Sequence, residues 1–288
     1  MKVVELASFS RAAEELHVSQ PSVSAYVSSL EKELGILLIN RTTKVISTTL
    51  AGERFLESAR KMLWLKRETA DILGSLSEDI SGEIRVLASS MPAVYILPKL
   101  IAGFHRLYPE ISFNIRGGDT AKVAQGIAAH KADIGFAGSV LGEGKCDFYE
   151  FATEKLVVIA PPDSHYNEDK EYSIQEVLYG SSFVSREIGS GTRTEYEKFF
   201  DENGIVPDKI KIAAGIDSTH GIVNAVAHGL GVSIVSELAA AQKISLGELK
   251  QIKINSPLPV RKIYAVLNKS ISHSHLTQLL MDYIRREV

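Results

Sequence analysis

Residues 9–24, FSRAAEELHVSQPSVS, constrain this chain more than any other stretch. They read as two short helices joined by a tight turn. In the first, about 10–16, Ala12, Ala13 and Leu16 share one face at helical spacing. Ala13 is small enough to let a partner helix approach closely. His17 and Val18 form the turn, with Val18 directed inward; glycine is more usual at the His17 position. Ser19 is a good N-cap for the second helix, and Pro21 sits in its first turn, where a missing N–H costs little. Val23, Tyr26, Val27, Leu30 and Leu34 then make one apolar stripe. The opposite face carries Gln20, Ser22, Ser24, Ala25, Ser28 and Ser29, small side chains suited to close approach to base edges. A helical hairpin inside some other core is the alternative. Cap, proline, small residue and stripe agree instead on a helix-turn-helix whose second helix enters a DNA major groove.

The next forty residues extend that reading. Gly35 stands where a helix C-cap belongs. Residues 36–39 and 45–48 are strand-like and flank Asn40-Arg41-Thr42-Thr43-Lys44, a small wing with basic residues at its tip. Arg41 and Lys44 are placed to touch phosphates, which position a protein without reading sequence. Thr49 caps a long helix over about 50–73, with Phe55, Leu56, Ala59, Leu63, Ala70 and Leu73 recurring at three or four. So long a helix needs something to cover it, most simply another copy of itself.

The run SFSRAAEELHVSQPSVSAYVSSLEKELG, the wing, and AGERFLESA together resemble the N-terminal domain of LysR-type transcriptional regulators. The likeness continues through a linker helix and a downstream effector domain, so it covers essentially the whole chain. There are departures. Only seven residues precede Ser8, fewer than is usual in the family, which reads as a late start codon. Ile39-Asn40 stand where an aromatic and an acid more often precede Arg41, and Ala25 stands where many members carry arginine. By this resemblance the candidate DNA contacts are Arg11, Ser19, Gln20, Pro21, Ser22, Ala25, Ser28, Arg41 and Lys44. The expected architecture is a winged helix-turn-helix at 1–50, a linker or dimerisation helix at 51–76 and an effector-binding domain at 82–288.

Composition limits the alternatives. The 288 residues suffice for two or three domains, each with its own core. No apolar run approaches bilayer length, and no signal peptide opens the chain, so no membrane partner is expected. A single cysteine, Cys146 in a polar loop, excludes an internal disulfide framework and fits a reducing cytoplasm. Residues 1–67 carry net +3 and the remainder net -6. A mildly basic head on an acidic body fits a specific DNA binder better than a protein that coats nucleic acid.

Beyond a polar break at 77–82 the chain alternates strand and helix. Strands are expected near 84–88, 111–115, 132–137, 151–160, 183–185, 210–213, 231–235 and 263–267. Helices are expected near 93–108, 120–130, 193–203, 219–228 and 275–286. Such alternation implies an α/β domain with a mostly parallel sheet. Two α/β lobes with two crossovers resemble the periplasmic-binding-protein-like effector domain of the LysR family. By that resemblance lobe I is 82–158 plus 262–288, and lobe II is 159–261.

In open α/β sheets ligands bind beyond the carboxyl ends of strands, at helix N-termini. Four such loops are rich in small hydroxyl residues: Ser89-Ser90-Met91-Pro92, Gly138-Ser139, Gly189-Ser190-Gly191-Thr192-Arg193 and Asp217-Ser218-Thr219-His220. Each offers N–H groups and hydroxyls at a positive helix end. Taken singly, each loop reads equally well as an ordinary cap or turn. Together they make Ser89, Ser90, Met91, Ser139, Gly189, Ser190, Gly191, Thr192, Arg193, Ser218 and Thr219 the candidate effector contacts. The expected effector is a small anion. Arg193 either pairs with it or covers the cleft rim. The loops 89–92 and 188–193 look most like those of members tied to sulfur or selenium metabolism. The family resemblance also implies a homodimer or homotetramer. Enzyme readings are poorer: His273 and His275 lack further ligands for a metal, Cys146 lacks a resolving cysteine, and no Gly-x-Ser-x-Gly elbow occurs. An exported solute receptor would need a signal peptide and no DNA head. No cofactor is expected.

Overall fold

The computed structural model describes residues 1–40, 46–74, 80–140 and 144–287. Arg41 and Lys44 lie outside the described residues. The chain divides into two compact units, Met1–Ala70 and Asp71–Val288.

In the first unit α1 (Lys2–Glu5) and α2 (Phe9–Glu15) precede α3 (Gln20–Leu34). Ser8 caps α2 by accepting from Arg11 N at 3.2 Å, and Ser19 caps α3 by accepting from Ser22 N at 3.2 Å. Between them His17 takes φ 53°, the left-handed backbone that glycine adopts most cheaply. Gly35, at φ 67°, ends α3. Ala12, Ala13 and Val23 are buried in one core with Val3, Leu38 and Ile39. The expected stripe is narrower than five residues. Val23, Val27 and Leu30 face the core, whereas Leu34 is exposed and Tyr26 is 67 % exposed. At 100° per residue Tyr26 lies at the edge of the stripe, and Leu34, though on the same face, is the last residue of α3 and outruns so short a partner as α2. Val18 is likewise exposed rather than inward.

Glu31 explains where the wing begins. Its buried carboxylate accepts from Leu38 N at 2.9 Å and Ile39 N at 3.1 Å. Here β1 (Ile39–Asn40) pairs antiparallel with β2 (Ser47–Thr48), a shorter ladder than expected. Helix α4 (Leu50–Gly74) comes next, capped by Thr49 through Gly52 N at 3.0 Å. A Cβ on Gly52 would stand 2.0 Å from the Leu38 carbonyl oxygen, so only glycine allows this approach. The apolar positions of α4 divide. Leu56 and Trp64 are buried, and Met62, Leu63, Leu65 and Leu73 are exposed.

The second unit opens with β3 (Gly82–Ser89), a π-helical turn at Pro92–Ile96, α5 (Leu97–Leu107), β4 (Ile111–Gly118), α6 (Thr120–Ala128) and β5 (Ile134–Ala137). The long β6 (Cys146–Ala160) leads to β7 (Glu171–Tyr172), α7 (Ile174–Gly180), β8 (Phe183–Arg186) and α8 (Gly191–Glu202). Then come β9 (Ile212–Ile216), α9 (Thr219–Ala227), β10 (Ser233–Ser236), α10 (Glu237–Ser245), β11 (Lys250–Ile254), β12 (Val260–Asn268) and α11 (His275–Glu287).

The main sheet runs β4-β3-β5-β12-β6-β11-β7, with β10 also on β6. It is mixed rather than mostly parallel. β3 pairs parallel with β4 and β5, but β12 runs against both β5 and β6. β6 changes partners along its length: up to Lys155 it pairs with β12, and from Leu156 with β10 and then β11. One strand thus serves two cores, one around Phe104, Ile134 and Leu280, the other around Val158, Phe183 and Tyr196. β8 and β9 form a separate parallel pair. Cys146 begins β6 instead of sitting in a loop; its half-buried thiol donates to the Ala124 carbonyl, and burial pushes its pKa up. Helices α7 and α10 and strands β7 and β11 were not expected from the sequence.

Candidate functional site

The hydroxyl loops at 89–92 and 189–193 line one small cavity of ≈ 10 Å³, and the loop at 217–220 meets its wall through Thr219. β3 ends at Ser89, and Ser90 and Met91 continue the cavity wall. From α8, Ser190, Gly191 and Thr192 line it. Thr219, the first residue of α9, reaches Ser90, with their hydroxyl oxygens 3.4 Å apart. Gly191 makes the approach of two chain segments possible: a Cβ there would lie 3.1 Å from the Gly138 carbonyl and 3.2 Å from Ser139 Oγ. Ser218 stays a cap, accepting from Gly221 N at 3.2 Å. Gly189 takes φ 90° outside the lining. Arg193 also lies outside it, tied to Glu197 at 2.7 Å and donating to the Arg186 carbonyl at 3.1 Å.

The strongest groups were missed in the sequence. Arg186, at the end of β8, is 4 % exposed. Its Nη1 donates to Thr219 Oγ1 at 2.6 Å and its Nη2 to Ser90 Oγ at 3.1 Å. The Glu187 carboxylate takes the other edge of the fork, from Nε at 2.7 Å and Nη2 at 2.8 Å. Arg261, on β12, is 3 % exposed. Its Nη1 donates to Thr192 Oγ1 at 2.7 Å, and its guanidinium pairs with Glu154 on β6. Burial pushes the Arg261 pKa down, and Glu154 pushes it back up. Arginine keeps its charge under such opposing pulls. Apart from Arg261 Nη2, which pairs with Glu154, two polar atoms of the lining are buried without a hydrogen-bond partner among the described residues: Arg261 Nε and Thr120 Oγ1. Such atoms cost free energy unless a ligand or water satisfies them.

The pattern that marks Arg261 is a strand alternation. Arg261, Ile263 and Ala265 share the buried face of β12, with Lys262 exposed between the first two. A lone arginine on an apolar face needs a partner, and the partner becomes visible only with the register.

At the other end of the chain Arg11, Ser19, Gln20, Pro21, Ala25 and Ser28 are exposed and Ser22 is half-buried. Arg11 also donates to the Leu6 carbonyl, and the hydroxyls of Ser19 and Ser22 lie 2.8 Å apart. Pro21, Ala25 and Ser28 lie on the side of α3 away from Val23 and Val27.

Residues 1–53 match the model described as bacterial regulatory helix-turn-helix protein, lysR family, and residues 77–288 match the LysR substrate binding domain. The chain belongs to the LysR family of transcriptional regulators. This LysR-family regulator is 32 % identical over 261 residues to the HTH-type transcriptional regulator CysL of Bacillus subtilis, covering 91 % of this chain and 86 % of CysL. Full-length CbnR complexed with its target DNA shares the fold, with TM-score 0.72 at 23 % identity, over 100 % of this chain and 96 % of that one. The effector binding domain of QuiR in complex with shikimate does so with TM-score 0.65 at 21 % identity, over 72 % and 97 %. The family consists of regulators of transcription, not enzymes. Among the described residues no helix is long and apolar enough to cross a membrane, and no group of three His, Cys, Asp or Glu could hold a metal ion.

Proposed function

We propose that this regulator reads operator DNA with α3 in the major groove and is controlled by a small anion held between two lobes, residues 82–158 with 262–288 and residues 159–261. The observation that carries the effector half is the pair of buried arginines, Arg186 and Arg261, beside the unpartnered Arg261 Nε and Thr120 Oγ1. An anion would accept from these oriented donors through charge-assisted hydrogen bonds, which are stronger than those a neutral molecule makes. The first residues of α8 and α9 add positive helix ends. The ligand is an effector that leaves unchanged, not a cofactor.

Direct reading of bases falls to Gln20, Ser22 and Ala25. Arg11, Ser19, Pro21 and Ser28 border them, and Arg41 and Lys44 bind phosphate. CbnR, which shares the fold, is solved on its target DNA, which supports DNA as the partner of this protein. The exposed Met62, Leu63, Leu65 and Leu73 of α4 suit a second copy, hence a cytoplasmic homodimer or homotetramer. The effector changes DNA binding only as far as it prefers one arrangement of the assembly over another.

Mass spectrometry of small molecules released on denaturing the purified protein tests the effector. An anion whose addition shifts operator affinity supports the reading. A neutral or cationic species, with no response to anions, overturns it. Inorganic sulfate is the first probe, because the loops at 89–92 and 188–193 resemble those of members tied to sulfur or selenium metabolism.

A further inference from the structure

We propose that the Glu187 carboxylate is a built-in occupant of the effector site, and that the effector anion binds by taking its place on Arg186. This rests on the reading of the cleft as an anion site. It adds which protein group the ligand must displace, and so which anions can act.

Arg186 holds four hydrogen bonds of two kinds. Those to Thr219 and Ser90 go to hydroxyls at the starts of other elements and are part of the cleft wall. Those to Glu187 use both carboxylate oxygens, at 2.7 and 2.8 Å. That fork is the geometry a guanidinium offers to any carboxylate, and to one face of a tetrahedral oxyanion. Glu187 therefore occupies the arginine edge that an anionic ligand would seek first.

The two ion pairs of the cleft differ in how the carboxylate is held. Glu154 lies within β6, opposite Arg261 in the ladder, and its side chain is 0 % exposed. It cannot leave without opening the sheet. Glu187 stands one residue past the end of β8, and its side chain is 23 % exposed. Ile188 after it is 85 % exposed, and Gly189 has nothing within 4 Å of where a Cβ would be. Rotation of the Glu187 side chain, with a small change in this turn, would carry the carboxylate into water and leave both cores packed. Arg261 is thus permanently neutralised, and Arg186 is neutralised by a group that can depart.

Cavity size points the same way. A volume of ≈ 10 Å³ holds about one water-sized sphere. Departure of the Glu187 carboxylate supplies the missing room and uncovers the charge together. The ligand that profits most has two or three oxygens in one plane or face, for Arg186, and reaches the free Arg261 Nε and Thr120 Oγ1. An intramolecular carboxylate competes at high effective concentration. It therefore rejects anions that offer only the fork and admits those that also satisfy the deeper donors.

Calorimetric titration of the full chain with inorganic sulfate tests this, comparing wild type, Glu187→Gln and Arg186→Lys. Glutamine keeps the size of Glu187 and removes its charge. Sulfate should bind Glu187→Gln at least tenfold more tightly than wild type. Arg186→Lys should bind it at least tenfold more weakly, with circular dichroism showing the fold intact. Equal or weaker binding to Glu187→Gln, with the loss in Arg186→Lys retained, would overturn the displacement and leave the anion site standing. Sulfate binding indifferent to both substitutions, or absent from all three proteins, would overturn the anion site and the displacement with it.

Discussion

Arg261 and Glu154 stand directly opposite each other in the β12–β6 ladder, and both side chains are buried. The strands that carry them join the two halves of the second unit, since β6 leaves β12 at Lys155 and takes up β10 at Leu156. Thr192, on the first turn of α8, is fastened to the same arginine. The ion pair therefore anchors the cleft wall to the sheet.

Removing one member of a buried pair leaves the other charged without a partner, a loss of about 3–5 kcal/mol. Glu154→Leu should destabilise the protein by about that amount. The double variant Glu154→Leu with Arg261→Met should recover most of it, because the site then becomes apolar throughout. Urea unfolding of the three proteins is the measurement. Equal stability of the single and double variants would show that the pair carries no coupling.

Gly52→Ala should loosen the joint between α4 and the base of the wing. The new methyl would lie 2.0 Å from a backbone oxygen, which cannot rotate away as a side chain can. Overpacking of this kind costs about 1–3 kcal/mol. The expected outcome is a lower melting temperature and weaker operator binding, with sulfate affinity unchanged. Wild-type melting would mean that the helix shifts to accommodate the methyl.

Gln20 is exposed at the first position of α3. A glutamine can pair with adenine through two hydrogen bonds, worth roughly 1–3 kcal/mol of discrimination. Gln20→Ala should relax base preference at one position of the operator more than it lowers nonspecific affinity. Selection from a random DNA library reads this directly, and an unchanged motif would take Gln20 off the bases.

Arg41 and Lys44 are assigned to phosphate by sequence. Each phosphate contact adds about 0.9 to the slope of log affinity against log salt. Replacing both by alanine should flatten that slope by roughly two units and weaken all DNA sites alike. An unchanged slope would place the wing away from the backbone.

The helix-turn-helix was legible because its signals are local. Ser19 caps the helix it precedes, His17 takes the turn position that favours glycine, and Gly35 ends α3. Each depends on a few neighbouring residues and on backbone geometry that tertiary packing rarely overrides. Much of the strand and helix order of the second unit was legible as well, although β7, α7, α10 and β11 were not. The width of the stripe on α3 was not. Exposure of Tyr26 depends on how much surface α2 and α1 can cover, which no periodicity records. The candidate site was half visible. Helix starts rich in Ser, Thr and Gly mark places where an anion can sit, and Ser90, Thr192 and Thr219 do meet buried arginines there.

Arg186 and Arg261 were silent because an arginine in a list of residues carries no sign of burial. Local chemistry dictates the caps, the turns, the alternation of strand and helix, and the small polar face of α3. These arise from hydrogen bonds and side-chain volumes within a turn or two of the chain. The mixed direction of the sheet, the Arg261–Glu154 pairing and the closing of Glu187 over Arg186 were decided only in three dimensions. Arg261 and Thr192 are 69 positions apart and Arg186 and Ser90 are 96 apart. Desolvation and charge pairing at such separations exist only after the strands have found their register.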